Sequence, residues 1–570
     1  MARTVPIGEQ DFGDLLRDGC FYVDKTRFIK EWWENRDKVT LITRPRRFGK
    51  TLTMSMLDYF FSLKYAGGGS LFEGLFIWED ESCRKLQGSF PVIFLSFAGV
   101  KADNYKEAYY DLCSLIAREY RKHAYLLDSS SFLPSDKKQF EKILNGDGNA
   151  RDICVALNLL SEYLYGHYGK KVIILLDEYD TPMQEAYVNG YWDEMALWLR
   201  GFFHASFKTN PYLERGLMTG ITRISKESVF SDLNNLSVVT TTSRMYETSF
   251  GFTEDEVFHA LEEFGLEREK QSVREWYDGF RFGTKDSIYN PWSVINYLKF
   301  RELKPYWANT SSNALVSRLI QKGSKKIKTA MEQMLLGQSF QTSLDEEMVF
   351  QQLDEKESAV WSLLLASGYL KAVCSKSNQR GKTDVLLKLT NLEVTFIFED
   401  MFLGWFTRDE LDIGSFSDEL ALGDKDFMNA YLNEMMYRTL SYYDTGKEFS
   451  KSGVHESFYH GLVLGLVADL RGRYVITSNK ESGLGRYDVM LKARNGKDGG
   501  IILEFKVLDS DKEDSLQDTV KKALRQIVDK GYAAMLQEEG IDMEQIRIYG
   551  FAFSGKSALI DGGCILDQNV

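Results

Sequence analysis

The sequence predicts an α/β protein of several domains, with a parallel sheet in its first half and a smaller α/β domain at its C-terminal end. Three observations carry that expectation. A short strand, an arginine-rich loop ending in Gly-Lys-Thr and a helix follow one another between residues 38 and 63; a continuous apolar run, Val172 to Leu176, ends in Asp177-Glu178-Tyr179-Asp180; and two strand-like runs between 485 and 507 bring together Asp488, Glu504 and Lys506.

A chain of 570 residues exceeds what one hydrophobic core supports, so several domains are expected. Its 44% hydrophobic, 27% charged and 14% aromatic composition is that of a globular protein and excludes extended disorder. No apolar run approaches the roughly 20 residues that span a bilayer. The opening MARTVPIGEQDFGDLL lacks a signal-peptide core, so a cytoplasmic home without membrane partners is expected. The six cysteines form no CxxC pair, which argues against structural zinc and disulfides and suggests reduced, mostly buried thiols. A net charge of -13 disfavours a surface that tracks nucleic acid throughout but leaves room for local basic patches.

Lys38 to Thr43 has a strand pattern, and Thr51 to Leu63 carries Leu52, Met56, Leu57, Phe60 and Phe61 at helical spacing. Between them lies RPRRFGKT, residues 44–51, in the strand-loop-helix order a phosphate loop requires, because a helix N-terminus aims backbone N–H groups at an anion. Gly49 lets the backbone wrap a phosphate, Lys50 reaches the terminal phosphates and the Thr51 hydroxyl holds magnesium, with Arg46, Arg47, Phe48 and Leu52 flanking them. The first glycine of the general pattern is replaced by Arg44. That position shapes the turn and leaves the phosphate contacts available. The rival reading is a basic surface turn.

The run Val172 to Leu176 reads as a buried parallel strand, and acids at its carboxyl end lie where such sheets bind ligands. Asp177 would hold Mg²⁺ and Glu178 would orient and deprotonate the attacking water, whereas Asp180 fits a helix cap. Phe90 to Phe97 and Arg215 to Arg223 are further strands; Thr219, Thr222 and Arg223 could sense a γ-phosphate from a neighbouring strand or simply form a strand exit.

These residues carry a resemblance. RPRRFGKT, VIILLDEYD, GLMTGITRISKESVFSDLNNL and WYDGFRFG followed by YNPWSVINYL, covering about residues 3 to 300, closely resemble the AAA-ATPase-like family of prokaryotic proteins found fused to PD-(D/E)XK nuclease-like domains. The resemblance implies a P-loop NTPase sheet with Walker A and Walker B elements on Lys50, Thr51, Asp177 and Glu178. It makes the arginine-rich loop a family trait.

Thr253 to Gly265 reads as an amphipathic helix capped by Thr253 and stopped by Gly265, the start of a helical lid. In the aromatic turn Trp276 to Gly283, packing is favoured over an Arg281–phosphate contact. Residues 331–430 read as a helical connector with a strand pair near 368–373 and 385–389. The polar loop at Asn309, Ser311, Ser312 and Asn313 has no assignable chemistry.

In the last third, alternation along Ile501 to Val507 sets Leu503, Phe505 and Val507 on one face and Glu504 with Lys506 on the other. Asp488, at the start of a run beginning at Gly485, can meet them across the hairpin loop 494–500. Two carboxylates with a lysine suit a hard divalent cation acting on a phosphodiester; the rival is a solvated strand face. By its resemblance to the PD-(D/E)XK pattern, Glu456 on the preceding helix is a further metal-site acid, and Gln526 with Tyr532 belongs to the following helix. His460 shares a helical face with Glu456. Tyr487 stands where the pattern's proline would be.

The expected architecture is therefore a P-loop core (1–245), a helical lid (246–330), a connector (331–430) and an α/β restriction-endonuclease-like domain (431–570). The expected activity is ATP binding and hydrolysis coupled to a metal-dependent nuclease, with Mg²⁺ at both sites, Mn²⁺ admissible at the second, and DNA favoured over RNA. A homo-oligomer sharing Arg46, Arg47 or Arg223 is left open. The rival is a nucleotide-switched binding protein with an inactive nuclease-like docking domain.

Overall fold

The structure, a computed structural model, describes residues 3–568 apart from 130–131, 224–229, 231–232, 308–313, 336, 345–349, 354–355, 378–382, 407–412, 441–458, 479–480, 483–484, 496–497, 510–512 and 555–556; within 459–471 it describes Tyr459, Val463, Leu466, Val467 and Leu470. The chain divides into two compact units, Met1–Gly323 with Phe340–Val394, and Ser324–Ser339 with Thr395–Val570. The stretch 331–430 is thus shared between them.

The first unit is built on five parallel strands, β1 (Val39–Thr43), β2 (Val92–Ser96), β3 (Val172–Asp177), β4 (Leu213–Gly220) and β5 (Leu236–Val239), in the order β2-β3-β4-β1-β5. β1 and β3 are buried along their whole length, which is why they read as unbroken apolar runs. β4 ends at Gly220, so residues 221–223 form a turn beyond it. The four-residue β5 was not read from the sequence. Because β4 stands between β1 and β3, with Thr219 opposite Ile42, the loop after β1 and the acids after β3 open on one edge with β4 between them. The helix Lys50–Phe61 packs Met54, Leu57, Phe60 and Phe61 into the core beside this sheet.

A helical layer follows. The helix Glu254–Glu263 begins with a capping box, Thr253 N–H donating to Glu256 at 2.7 Å and Glu256 N–H to the Thr253 hydroxyl at 3.4 Å, and Gly265 beyond it adopts φ +68°. Its core includes Val5 and Phe21 with Val257, Leu261, Val294 and Leu298. Arg3 adds a two-pronged bridge to Glu263 at 2.7 and 2.6 Å. The N-terminal segment therefore packs as part of the helical layer. Two small sheets complete the unit: β6 (Phe252–Thr253), β7 (Phe280–Phe282) and β8 (Lys285–Tyr289), then β9 (Phe340–Leu344), β10 (Leu370–Ser377) and β11 (Thr383–Leu389). β10 and β11 are the pair expected from sequence, and β9 extends it. Buried Glu393 ties this region together, accepting from the Ser293 hydroxyl at 2.8 Å and Trp307 N–H at 2.8 Å.

The second unit carries a mixed sheet. Its strands are β12 (Tyr474–Ser478), β15 (Val489–Ala493), β16 (Gly500–Val507), β17 (Ile546–Ser554) and β18 (Ser557–Cys564), in order β12-β15-β16-β17-β18; a ribbon, β13 (Glu481–Ser482) with β14 (Gly485–Arg486), lies apart. β16 and β17 run parallel, whereas the other pairs are antiparallel. The run expected from Gly485 is thus two pieces, and Asp488 directly precedes β15. The edge of β18 is closed by asparagines one turn apart on the helix Lys425–Leu440. Asn429 exchanges two hydrogen bonds with the backbone of Ile560, both 2.8 Å, and Asn433 does the same with Ala558 at 2.7 and 2.9 Å. Side-chain amides here replace the missing strand and satisfy edge groups that would otherwise invite pairing with another chain.

Of the six cysteines, which form no disulfide, Cys83 is buried and Cys374 exposed, with Cys20, Cys113, Cys154 and Cys564 in between, so most are less buried than expected. Among the described residues no helix is long and apolar enough to cross a membrane.

Two outcomes are expected. Replacing both Asn429 and Asn433 by Ala should destabilise the second unit by about 2–4 kcal/mol, because four backbone groups lose partners, read as a lower denaturant midpoint. Burial first of all raises the Glu393 pKa from 4.5 to about 7. A raised folded-state pKa gives stability that is complete below pH 4.5 and lost as pH rises through 7, on the order of 3 kcal/mol. Glu393→Gln should flatten that part of the stability-versus-pH curve, and an unchanged slope would count against it.

Candidate functional sites

Arg44 is fully buried. Its guanidinium donates to Thr43 O at 2.9 Å, Thr240 O at 2.8 Å and Tyr246 O at 3.3 Å, and lies 4.7 Å from the Phe282 ring centre. Burial lowers its pKa to about 9. The residue that replaces glycine in the general loop pattern thus fastens the loop to the backbone beyond β5. Phe48, also buried, packs edge-on against Phe280 and Phe282 at 4.8 and 5.4 Å. Arg281 donates to Val373 O at 3.0 Å and faces Asp286 at 3.3 Å, so the aromatic turn acts as a packing support for the loop.

The loop turns through two left-handed residues, Arg47 (φ +66°) and Gly49 (φ +81°). Gly49 suits that conformation, whereas Arg47 bears strain. Its guanidinium lies 4.3 Å from the Trp292 ring centre. Lys50 donates to Arg44 O at 3.1 Å and Pro45 O at 2.9 Å, and burial lowers its pKa. The Thr51 hydroxyl donates to Asp177 Oδ2 at 2.6 Å, and the Thr219 hydroxyl to Asp177 Oδ1. Burial raises the Asp177 pKa, and the neighbouring Glu178 charge raises it further. Glu178 itself is held at φ +55°.

Asp180 occupies the N-cap position of the helix Thr181–Asn189 but makes no side-chain cap. The expectation of a cap is corrected: its Oδ2 accepts Ile221 N–H at 3.0 Å, Thr222 N–H at 2.9 Å and the Thr222 hydroxyl at 2.8 Å, a set of donors that a first turn containing Pro182, which lacks an N–H, does not match.

A cavity of about 470 Å³ is lined by Arg46, Arg47, Phe48, Gly49, Lys50, Thr51, Leu52 and Glu178, and continues along Val5, Phe21, Val23 and Trp292. Eight of the sequence-derived positions therefore meet in one space. Thr219 and Arg223 do not line it; Thr219 supports Asp177 from β4 instead. Gln184, Asn290 and Trp292 were missed. Buried Asn290 caps the helix Pro291–Phe300 and donates to Arg46 O at 3.3 Å, joining the helical layer to the loop. The NPW tripeptide was a visible cap signal, but its partner across 244 residues was not. The buried acid beside a threonine hydroxyl and a lysine fits Mg²⁺, with Thr51 and Asp177 as the residues that would hold it.

In the second unit Val489 pairs with Leu503, which sets Asp488 beside Glu504. Asp488 accepts Phe505 N–H at 2.7 Å. Glu504 is fully buried, receives Lys506 Nζ at 3.0 Å and is bonded by the Gln526 amide, which also reaches the Tyr532 hydroxyl at 3.3 Å. Burial raises the Tyr532 pKa, with Glu504 and Asp488 adding to it. Gly550, in register with Glu504, lets the helix Leu516–Asp529 settle onto the sheet: a Cβ there would stand 2.8 Å from Val520 O. That close approach brings Gln526 to Glu504. The rival reading of a solvated strand face does not hold, because Glu504 is covered, while Leu503 and Phe505 enter the core on the other side. Glu456 and His460 lie outside the described residues. Among the described residues no group of three or more His, Cys, Asp or Glu is poised for a metal, so the Asp488 and Glu504 carboxylates, with Lys506 beside them, are the oxygen donors present. They fit a hard cation.

Fold and sites together define a P-loop NTPase core joined to a nuclease-like α/β domain. Residues 6–230 match the family described as "Predicted AAA-ATPase", and residues 454–562 match the PD-(D/E)XK nuclease superfamily. The chain thus joins an AAA-ATPase-like domain to a PD-(D/E)XK superfamily domain. It is also similar to a protein of Azotobacter chroococcum mcd 1 described as "Uncharacterized protein in vnfD 5'region", 25% identical over 574 residues and covering 98% of each chain.

Restoring the general pattern with Arg44→Gly should destabilise the first unit by about 3 kcal/mol, because several buried carbonyls lose their donor and a cavity opens. A thermal melt at or above the wild-type midpoint would contradict the clamp.

Proposed function

We propose that the first unit binds and hydrolyses ATP and that its nucleotide state gates a metal-dependent phosphodiesterase in the second. The observation that carries the reading is the Thr51–Asp177 contact at 2.6 Å, with Lys50 and Glu178 on the same cavity. Lys50 exchanges its two loop carbonyls for the terminal phosphates, and the backbone N–H groups around Gly49 take the remaining phosphate oxygens. Thr51 and Asp177 would hold Mg²⁺, which would supply charge neutralisation at the phosphates. Glu178 orients the attacking water and takes its proton. Arg46 and Arg47 add positive charge.

Asp488 and Glu504, with Glu456, would hold Mg²⁺ or Mn²⁺, which would polarise the phosphodiester and acidify water there. Lys506 would orient the attacking water, and Gln526 holds the Glu504 carboxylate in place. Nucleic acid, DNA ahead of RNA, is the substrate class. An ATP-gated cut suits a cytoplasmic role in defence or mobile-element processing.

Glu178→Gln should lower the ATP turnover number by about 10²–10⁴-fold with ATP affinity retained; unchanged turnover would remove Glu178 from the chemistry. Against single- and double-stranded DNA and RNA with Mg²⁺ or Mn²⁺, wild type should cleave, and both Glu504→Ala and Lys506→Ala should abolish cleavage. Equal cutting by all three would assign the activity to a contaminant.

A further inference from the structure

Gln184 lines the cavity beside Arg46, Lys50 and Glu178, one helical turn beyond Asp180. Its amide is engaged at both ends: Nε2 donates to Asp180 Oδ2 at 2.9 Å, and Oε1 accepts Arg46 Nη2 at 3.4 Å. Charge dictates that orientation. Turning the amide over would set its NH₂ against a guanidinium and its carbonyl against a carboxylate.

Beyond Gln184 the connection is firm. Fully buried Asp180 accepts the backbone N–H groups of Ile221 and Thr222 on the same oxygen that takes Gln184. The Tyr179 hydroxyl donates to Thr222 O at 2.6 Å. Gly220 leaves these side chains their space, since a Cβ there would lie 2.6 Å from Asp180 Oδ1 and 2.7 Å from the Tyr179 ring. The turn after β4 is therefore locked to the acid motif, and through Gln184 to an arginine of the phosphate loop.

The links differ in strength. Those to Asp180 are 2.8 to 3.0 Å long and end on a buried carboxylate, whereas Arg46 reaches the Gln184 amide oxygen only at 3.4 Å on the cavity wall. A phosphate oxygen is the stronger partner for a guanidinium, so the Arg46–Gln184 bond breaks first when phosphate arrives. Without the cation on its oxygen, the Gln184 amide is a weaker donor, and Asp180 Oδ2 is left more fully to Ile221 and Thr222.

We propose that Gln184 is a positioning residue that parks Arg46 at the cavity wall until a terminal phosphate draws it away, and that relays its departure through Asp180 to the turn after β4. The relay rests on the ATP reading above. It makes the β4 exit sensitive to the γ-phosphate without touching the nucleotide.

Hydrogen-exchange mass spectrometry on the full chain with Mg²⁺ tests it. The Ile221 and Thr222 amides should exchange about fivefold more slowly with the β,γ-imido analogue of ATP than with ADP. Gln184→Ala should bring the two states within about twofold of each other while changing analogue affinity by less than about threefold. Arg46→Gln, which leaves the Asp180 partners in place, should also erase the difference. Equal exchange in wild type, or a difference that survives in Gln184→Ala, overturns the relay although nucleotide binds. Failure of both nucleotides to bind in an equilibrium titration overturns the ATP reading and the relay together.

Discussion

In the first unit a carboxylate sits where burial opposes its charge. Asp177 is fully buried at the end of β3 and is supported by hydroxyls from two elements, Thr51 on the helix after β1 and Thr219 on β4. That arrangement exists because the sheet places β4 between β1 and β3, so that one acid is reached from both sides. Burial and the adjacent Glu178 both raise its pKa, leaving a site that gains from an incoming cation. The surrounding features serve that point: Lys50 lies beside it, and Asp180 anchors the turn after β4.

The phosphate loop is shaped from outside as much as by its own glycine. Arg44 fixes its start to Thr240 and Tyr246, Phe48 its middle to the β7 aromatics, and Asn290 and Trp292 hold Arg46 and Arg47 from the helical layer. A loop tied at both ends keeps its backbone N–H groups aimed with little entropy left to lose on binding. The core of the helical layer in turn contains Val5 and Phe21, so the first residues of the chain and the helices after residue 250 share one packing.

The second unit uses a different device for the same end. Glu504 is held by a lysine two residues along its strand and by Gln526 from a helix that lies close because Gly550 has no side chain. On the far edge, Asn429 and Asn433 close β18 with a helix that precedes the matched nuclease segment, so the sheet is completed by residues the motif pattern does not include.

Much of this was legible in the amino-acid order. Strands β1, β3 and β16 showed as apolar runs, the Thr253 cap was readable from local spacing, and Lys50, Thr51, Asp177, Glu178, Asp488, Glu504 and Lys506 could be named, because helix and strand periodicity and loop chemistry act over a few residues. What the order left open was set by contacts across long separations: Arg44 as a buried clamp, Thr219 as a support for Asp177, Gln184 between Arg46 and Asp180, and β18 sealed by asparagines. Such roles depend on which groups the sheet order brings within hydrogen-bond reach. Strand order is a property of the folded whole, written in no single segment.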